Sequence, residues 1–149
     1  MAKTGLTVQV RIDGLRETIA ALNALPKDAS DEIRAAAAEL AGKLATAAAA
    51  AGRAEGRQAA LVATTVRPAR DRVPVITAGG ARKLGRNRKP AFKLLFGSEF
   101  GSNYYRQFGK VHLSGGSYWF FETVEAEQAE ISAEWLAAAD EIIAKFGGA

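Results

Sequence analysis

The sequence predicts an α+β domain: a small, mainly antiparallel sheet packed against a long alanine-rich helix and a C-terminal helix, with a long basic loop. Three observations carry this. Residues 6–12 alternate apolar and polar, residues 28–51 and 123–146 repeat apolar side chains at helical spacing, and the stretch between them breaks into short β-branched and aromatic runs separated by Gly and Pro.

In the first element Leu6, Val8, Val10 and Ile12 fall on one face, with Thr7, Gln9 and Arg11 on the other, as in a half-buried strand. Asp13-Gly14 supplies a turn. Leu15, Ile19, Leu22 and Leu25 then predict a short helix that Pro26 ends, because the residue before a proline is pushed out of α geometry. Asp28 or Ser30 can cap the next helix, expected to reach about Ala51. Its apolar positions Ile33, Ala37, Leu40, Leu44, Ala47 and Ala51 repeat at intervals of four and three and make a core-facing seam of small residues. Gly52 and Gly56 frame its exit. LVATTV, residues 61–66, reads as a strand. Residues 73–77 read as a second, demoted to an edge or bulge by Pro74. AGGARKLGRNRKP, residues 78–90, has no periodicity and is expected as a flexible basic loop. FKLLF (92–96) and SYWFF (117–121) read as aromatic strands. In the last helix Thr123 is the expected cap, Ile131, Trp135, Ala138, Ile142 and Phe146 form the apolar stripe, and Gly147-Gly148 ends it. The 149 residues are read as a single domain, 1–149.

Composition narrows the chemistry. Without cysteine there is neither a disulfide nor a thiolate metal site. No apolar run reaches the roughly 20 residues that span a bilayer, and MAKTGLTVQV lacks the apolar core of a secretory signal, so no membrane partner is expected. The net charge of +4 hides a sharper division. Residues 53–93 hold eleven cations against Glu55 and Asp71, whereas residues 122–149 hold seven acids against Lys145. Such asymmetry suits a nucleic-acid partner, or contact between copies of the chain, basic face on acidic face.

Catalysis has little to build on. His112 is the only histidine, and Ser98, Ser102, Ser114 and Ser117 stand beside glycines, as turn residues do. No catalytic, cofactor or metal set is predicted. FGSEFG lacks the spacing of a phosphate loop, and Glu99 in its middle opposes a bound phosphate. Arg82, Lys83, Arg86, Arg88 and Lys89 can neutralise phosphates without reading sequence, and Tyr104, Tyr105 and Phe108 can stack on bases. Non-specific contact with double-stranded DNA is therefore the second reading. Glu127, Glu130, Glu134 and Glu141 line one face of the last helix and are the candidate acidic face for a neighbouring subunit.

The order RIDGLRETIAAL, alanine-rich helix, basic segment, LLFGSEFGSNYYRQFGK, GSYWFFETVEA and EISAEWLAAADEII resembles the small neck or tail-completion proteins of long-tailed, double-stranded-DNA phages, the head–tail connector and tail-component group. In that family Glu-Phe-Gly followed by Ser or Thr ends a strand, matched here by Glu99, Phe100, Gly101 and Ser102. A proline is common where Glu122 stands, and Thr123 keeps the helix cap. The resemblance implies a non-enzymatic virion structural protein. It would form a sixfold ring at the head–tail junction, with DNA passing through the lumen, after assembly in the host cytoplasm. Its partners would be copies of itself and the neighbouring connector and tail-tube proteins. Stopper, tail terminator and intermediate ring all fit.

Overall fold

The computed structural model describes residues 5–100 and 118–147. The architecture is α+β, with a small antiparallel sheet against long helices. Strand β1 (Gly5–Gln9) leads into α1 (Leu15–Asn23) and the long α2 (Lys27–Glu55). Then come α3 (Arg57–Ala63), β2 (Arg67–Ala69), β3 (Val75–Gly79), the short strands β4 (Lys83–Leu84) and β5 (Lys89–Pro90), α4 (Ala91–Phe100) and α5 (Trp119–Phe146).

The sheet runs β1-β3-β2, with both neighbours antiparallel to β3. Gly5 faces Gly79 and Gln9 faces Val75 in one ladder, and Arg67 faces Thr77 in the other. The strand at 73–77 is thus central, not an edge. Pro74 lies just before the first ladder residue, where its missing N–H removes no ladder bond, and its carbonyl accepts from Val10 N at 3.0 Å. The rule confining proline to edges applies instead to Pro68 in the edge strand β2.

Helices α2 and α5 make the main layer and lie antiparallel. Lys145 near the end of α5 bonds Glu32 near the start of α2, Lys43 meets Glu130 and Glu134 midway, and Trp119 at the start of α5 abuts Gly52. The α2 stripe runs through Ala29, Ile33, Ala37, Ala41, Leu44, Ala48 and Gly52, all buried, while Leu40, Ala47 and Ala51 flank it half-buried. The two seams diverge because the expected alternation of four and three averages about 3.5 residues per turn, whereas the buried positions step by four except once. Gly52 lies inside the helix. A Cβ there would sit 3.0 Å from the Ala59 carbonyl and 3.0 Å from the Trp119 ring, so glycine permits the close approach of α3 and α5. On α5, Ile131, Trp135, Ala139 and Ile142 are buried, with Ala139 in place of Ala138. Trp135 also donates Nε1–H to the Arg72 carbonyl at 2.8 Å, fastening α5 to the β2–β3 connection.

Three stretches expected as strands are helical. LVATTV ends α3, whose buried Ala59, Val62 and Ala63 recur at helical spacing. Thr65 then closes the turn, donating to the Val62 carbonyl at 2.6 Å and accepting from Gly79 N at 2.9 Å. FKLLF lies in α4, where Ala91, Leu94 and Leu95 face the core. Of SYWFF, residues 118–121 are described and enter α5, which starts at Trp119, a turn before the expected Thr123 cap. In α3 and α4 tertiary burial of an i, i+3, i+4 face overrides β propensity, and at the start of α5 burial of Trp119, Phe120 and Val124 does so. Residues 78–90, expected without regular structure, contain the two-residue ladder Lys83↔Pro90 and Leu84↔Lys89. Its turn closes through Arg88 N to the Gly85 carbonyl at 3.2 Å, with Gly85 and Arg88 at positive φ.

Candidate functional site

Two surfaces and one buried carboxylate concentrate the chemistry. The first surface is the β4–β5 hairpin. It projects from β3 and returns directly into α4, whose first two amides it satisfies: Ala91 N donates to Arg82 O at 2.8 Å and Phe92 N to Gly80 O at 2.9 Å. Arg82, Lys83, Arg86 and Arg88 are exposed, and Lys89 is half-buried. The hairpin thus brings together all five cations that the sequence singled out. Arg57 of α3 joins them across a cleft of about 560 Å³ lined by Leu61, Leu84, Leu94, Arg57, Arg86 and Lys89, with no acidic residue in its wall. Arg57, Arg82, Lys83, Arg86 and Arg88 make no ion pair among the described residues.

The second surface is the outer face of α5. Of the four predicted acids, Glu130 and Glu134 are exposed and both bind Lys43 of α2, at 3.1 and 3.2 Å. These two carboxylates, first by hydrogen bonding and then by charge, raise the pKa of Lys43 above its ordinary value. Glu127 is half-buried and Glu141 exposed. The face is therefore split. Its middle is neutralised within the chain, while Glu122 and Glu125 near one end, and Asp140 and Glu141 near the other, make no ion pair among the described residues.

The buried carboxylate is Glu99, in the last turn of α4 and fully shielded from solvent. Its oxygens accept from Phe120 N at 3.0 and 3.1 Å and from Phe121 N at 3.3 Å. Its own carbonyl accepts from Tyr118 N at 3.1 Å, and Trp119 Nε1–H donates to Ser98 Oγ at 3.0 Å. Glu99 is thus the N-terminal cap of α5, supplied by another helix, at a position where the residue before the helix, Tyr118, is left-handed and offers no side-chain cap. Phe100 extends the latch, with its ring centroid 5.8 Å from both Tyr118 and Phe121 and 6.1 Å from Phe96. Burial pushes the Glu99 pKa up to about 7 despite the opposing pull of the Phe121 and Phe120 amides, and Glu122 and Glu55 add to the rise.

Glu99 and Phe100 were expected to end a strand. They lie in helix α4, and the carboxylate's partner Phe120 lies 21 residues on. Nothing in the local sequence signals that capping role. Gly101 and Ser102 lie outside the described residues, as do Tyr104, Tyr105, Phe108, His112, Ser114 and Ser117. Among the described residues no group of three or more His, Cys, Asp or Glu could hold a metal ion, and no helix is long and apolar enough to cross a membrane.

Comparisons with protein-family models, with curated proteins and with solved structures find no match to this chain.

Proposed function

We propose that the chain is a non-enzymatic structural subunit that assembles with copies of itself into a ring, as a head-to-tail connector or tail-completion protein of a long-tailed, double-stranded-DNA phage. One observation carries the assembly part. Cations without partners gather on the β4–β5 hairpin and α3, acids without partners sit at the far end of α5, and the two groups do not meet within one copy. A closed ring needs such heterologous contacts, one face of a subunit on a different face of the next. The phage part rests on the sequence resemblance alone, since Glu99 and Phe100 lie in a helix and not at the strand end that the family motif makes. The test is deletion of the gene from its phage genome. The reading expects filled heads and finished tails that remain unjoined in electron micrographs; normal joined particles would refute it.

A second reading is favoured by the same exposed cations: the hairpin as a non-specific DNA contact, alone or facing a ring lumen. Retention of duplex DNA should then fall steeply with salt, because each neutralised phosphate releases counterions. Arg86→Glu with Arg88→Glu should abolish it. Salt-insensitive retention, or none at low ionic strength, would remove this reading.

A further inference from the structure

The cleft between α3 and the hairpin has a definite composition. Leu61, Leu84 and Leu94 make an apolar floor, and Arg57, Arg86 and Lys89 stand in its wall. The hairpin turn is seated closely at this site, since a Cβ on Gly85 would come 3.0 Å from Leu61 Cδ1, and Gly85 has φ +73. A phosphate needs cations but not the leucines. An apolar ligand needs the leucines but not the cations. A helix face carrying small apolar residues and acids uses both.

This chain owns such a face. Ala133, Ala137, Asp140, Glu141 and Ala144 of α5 are all exposed and recur at steps of four, three, one and three, so they lie along one side of the helix. Asp140 and Glu141 make no ion pair among the described residues, and they lie toward the negative end of the helix dipole. One copy cannot satisfy itself. The cleft adjoins the α3 end of the α2–α5 layer, where Trp119 begins α5 against Gly52 and Ala63. Asp140 lies roughly 30 Å along the helix axis from Trp119, at about 1.5 Å per residue. Donor and acceptor surfaces thus sit at opposite ends of the same two-helix layer, which makes their contact head-to-tail.

We infer that the α3–hairpin cleft receives the C-terminal half of α5 from a second copy of this chain, with Asp140 and Glu141 facing Arg57 and Arg86 and the alanines against the leucine floor. This rests on the assembly reading above and names the surface it uses. The test is sedimentation equilibrium at low salt on the whole chain. The wild type should associate. Arg57→Glu with Arg86→Glu, and separately Asp140→Lys with Glu141→Lys, should each weaken association by more than about tenfold, since like charges brought face to face are strongly disfavoured. Circular dichroism should match the wild type for both variants. An equimolar mixture of the two should recover association, because every junction then pairs unlike charges. Variants that associate like the wild type, or a mixture that stays monomeric, would overturn the cleft assignment while leaving assembly through another face standing. A wild type that never associates would overturn both. If the cleft variant loses duplex DNA retention but still self-associates, the cleft belongs to nucleic acid and the inference is wrong.

Discussion

Glu99 holds the first amides of α5 through its side chain, accepting from Phe120 N and Phe121 N. In the fold it caps a 28-residue helix from a neighbouring one, the role a local Ser, Thr or Asp would usually fill. Removing it leaves the Phe120 and Phe121 amides buried without that acceptor, so Glu99→Ala should destabilise the protein by about 1–2 kcal/mol in urea titrations at mildly acidic pH. The pH dependence has a definite sign. The folded state holds the Glu99 proton more tightly than the unfolded chain, with a pKa of about 7 against roughly 4.3 in a free glutamate. The stability that Glu99 contributes is therefore fully present below about pH 4 and is lost as pH rises to about 7. Glu99→Gln cannot titrate. The difference in unfolding free energy, wild type minus Gln variant, should fall by more than about 1 kcal/mol across that window and level off above it. A flat difference would show that Glu99 titrates normally, and a rising one that folding lowers its pKa.

At the scale of elements, the two long helices and the first strand were legible because their periodicity extends over many residues. Ile131, Trp135 and Ile142 sit in the core as their spacing predicts, and so do Ile33, Ala37 and Leu44. Of the short elements, α1 and the strand at 73–77 stand where they were expected, whereas α3 and α4 were not legible. Seven residues of α3 and ten of α4 give a periodic signal too brief to separate from a strand, and β-branched Val62 or aromatic Phe92 and Phe96 pull the reading toward β. Of the candidate site, the hairpin cations and the α5 acids were visible as charge. The pairing of Lys43 with Glu130 and Glu134, 87 and 91 residues apart, was not. The same logic marks where elements are joined most tightly. Gly52→Val should destabilise by about 1–3 kcal/mol or more, since its side chain would meet the Ala59 carbonyl and the Trp119 ring. Trp135→Ala should cost about 3–5 kcal/mol, because it empties a fully buried site and leaves the Arg72 carbonyl without its donor. Chemical denaturation reads both, and a loss under about 1 kcal/mol for Trp135→Ala would mean that α5 is anchored elsewhere.

For the whole molecule, the division of charge is the feature that local structure does not consume. Lys43 and Lys145 absorb Glu130, Glu134 and Glu32. Arg57, Arg82, Lys83, Arg86 and Arg88 remain at one end of the α2–α5 layer and Asp140 and Glu141 at the other, with Glu122 and Glu125 near the start of α5. A surface of that kind favours encounter between copies in a fixed orientation and weakens as salt screens it, so the mean mass of the protein in solution should fall as ionic strength rises. The most direct test of the central claim is native mass spectrometry of the purified chain at low salt, alone and mixed with tail-tube and connector proteins of the proposed phage. The account predicts one discrete closed oligomer, a sixfold ring if the phage resemblance holds. A monomer at every concentration and salt, with no complex formed with those proteins, would contradict it.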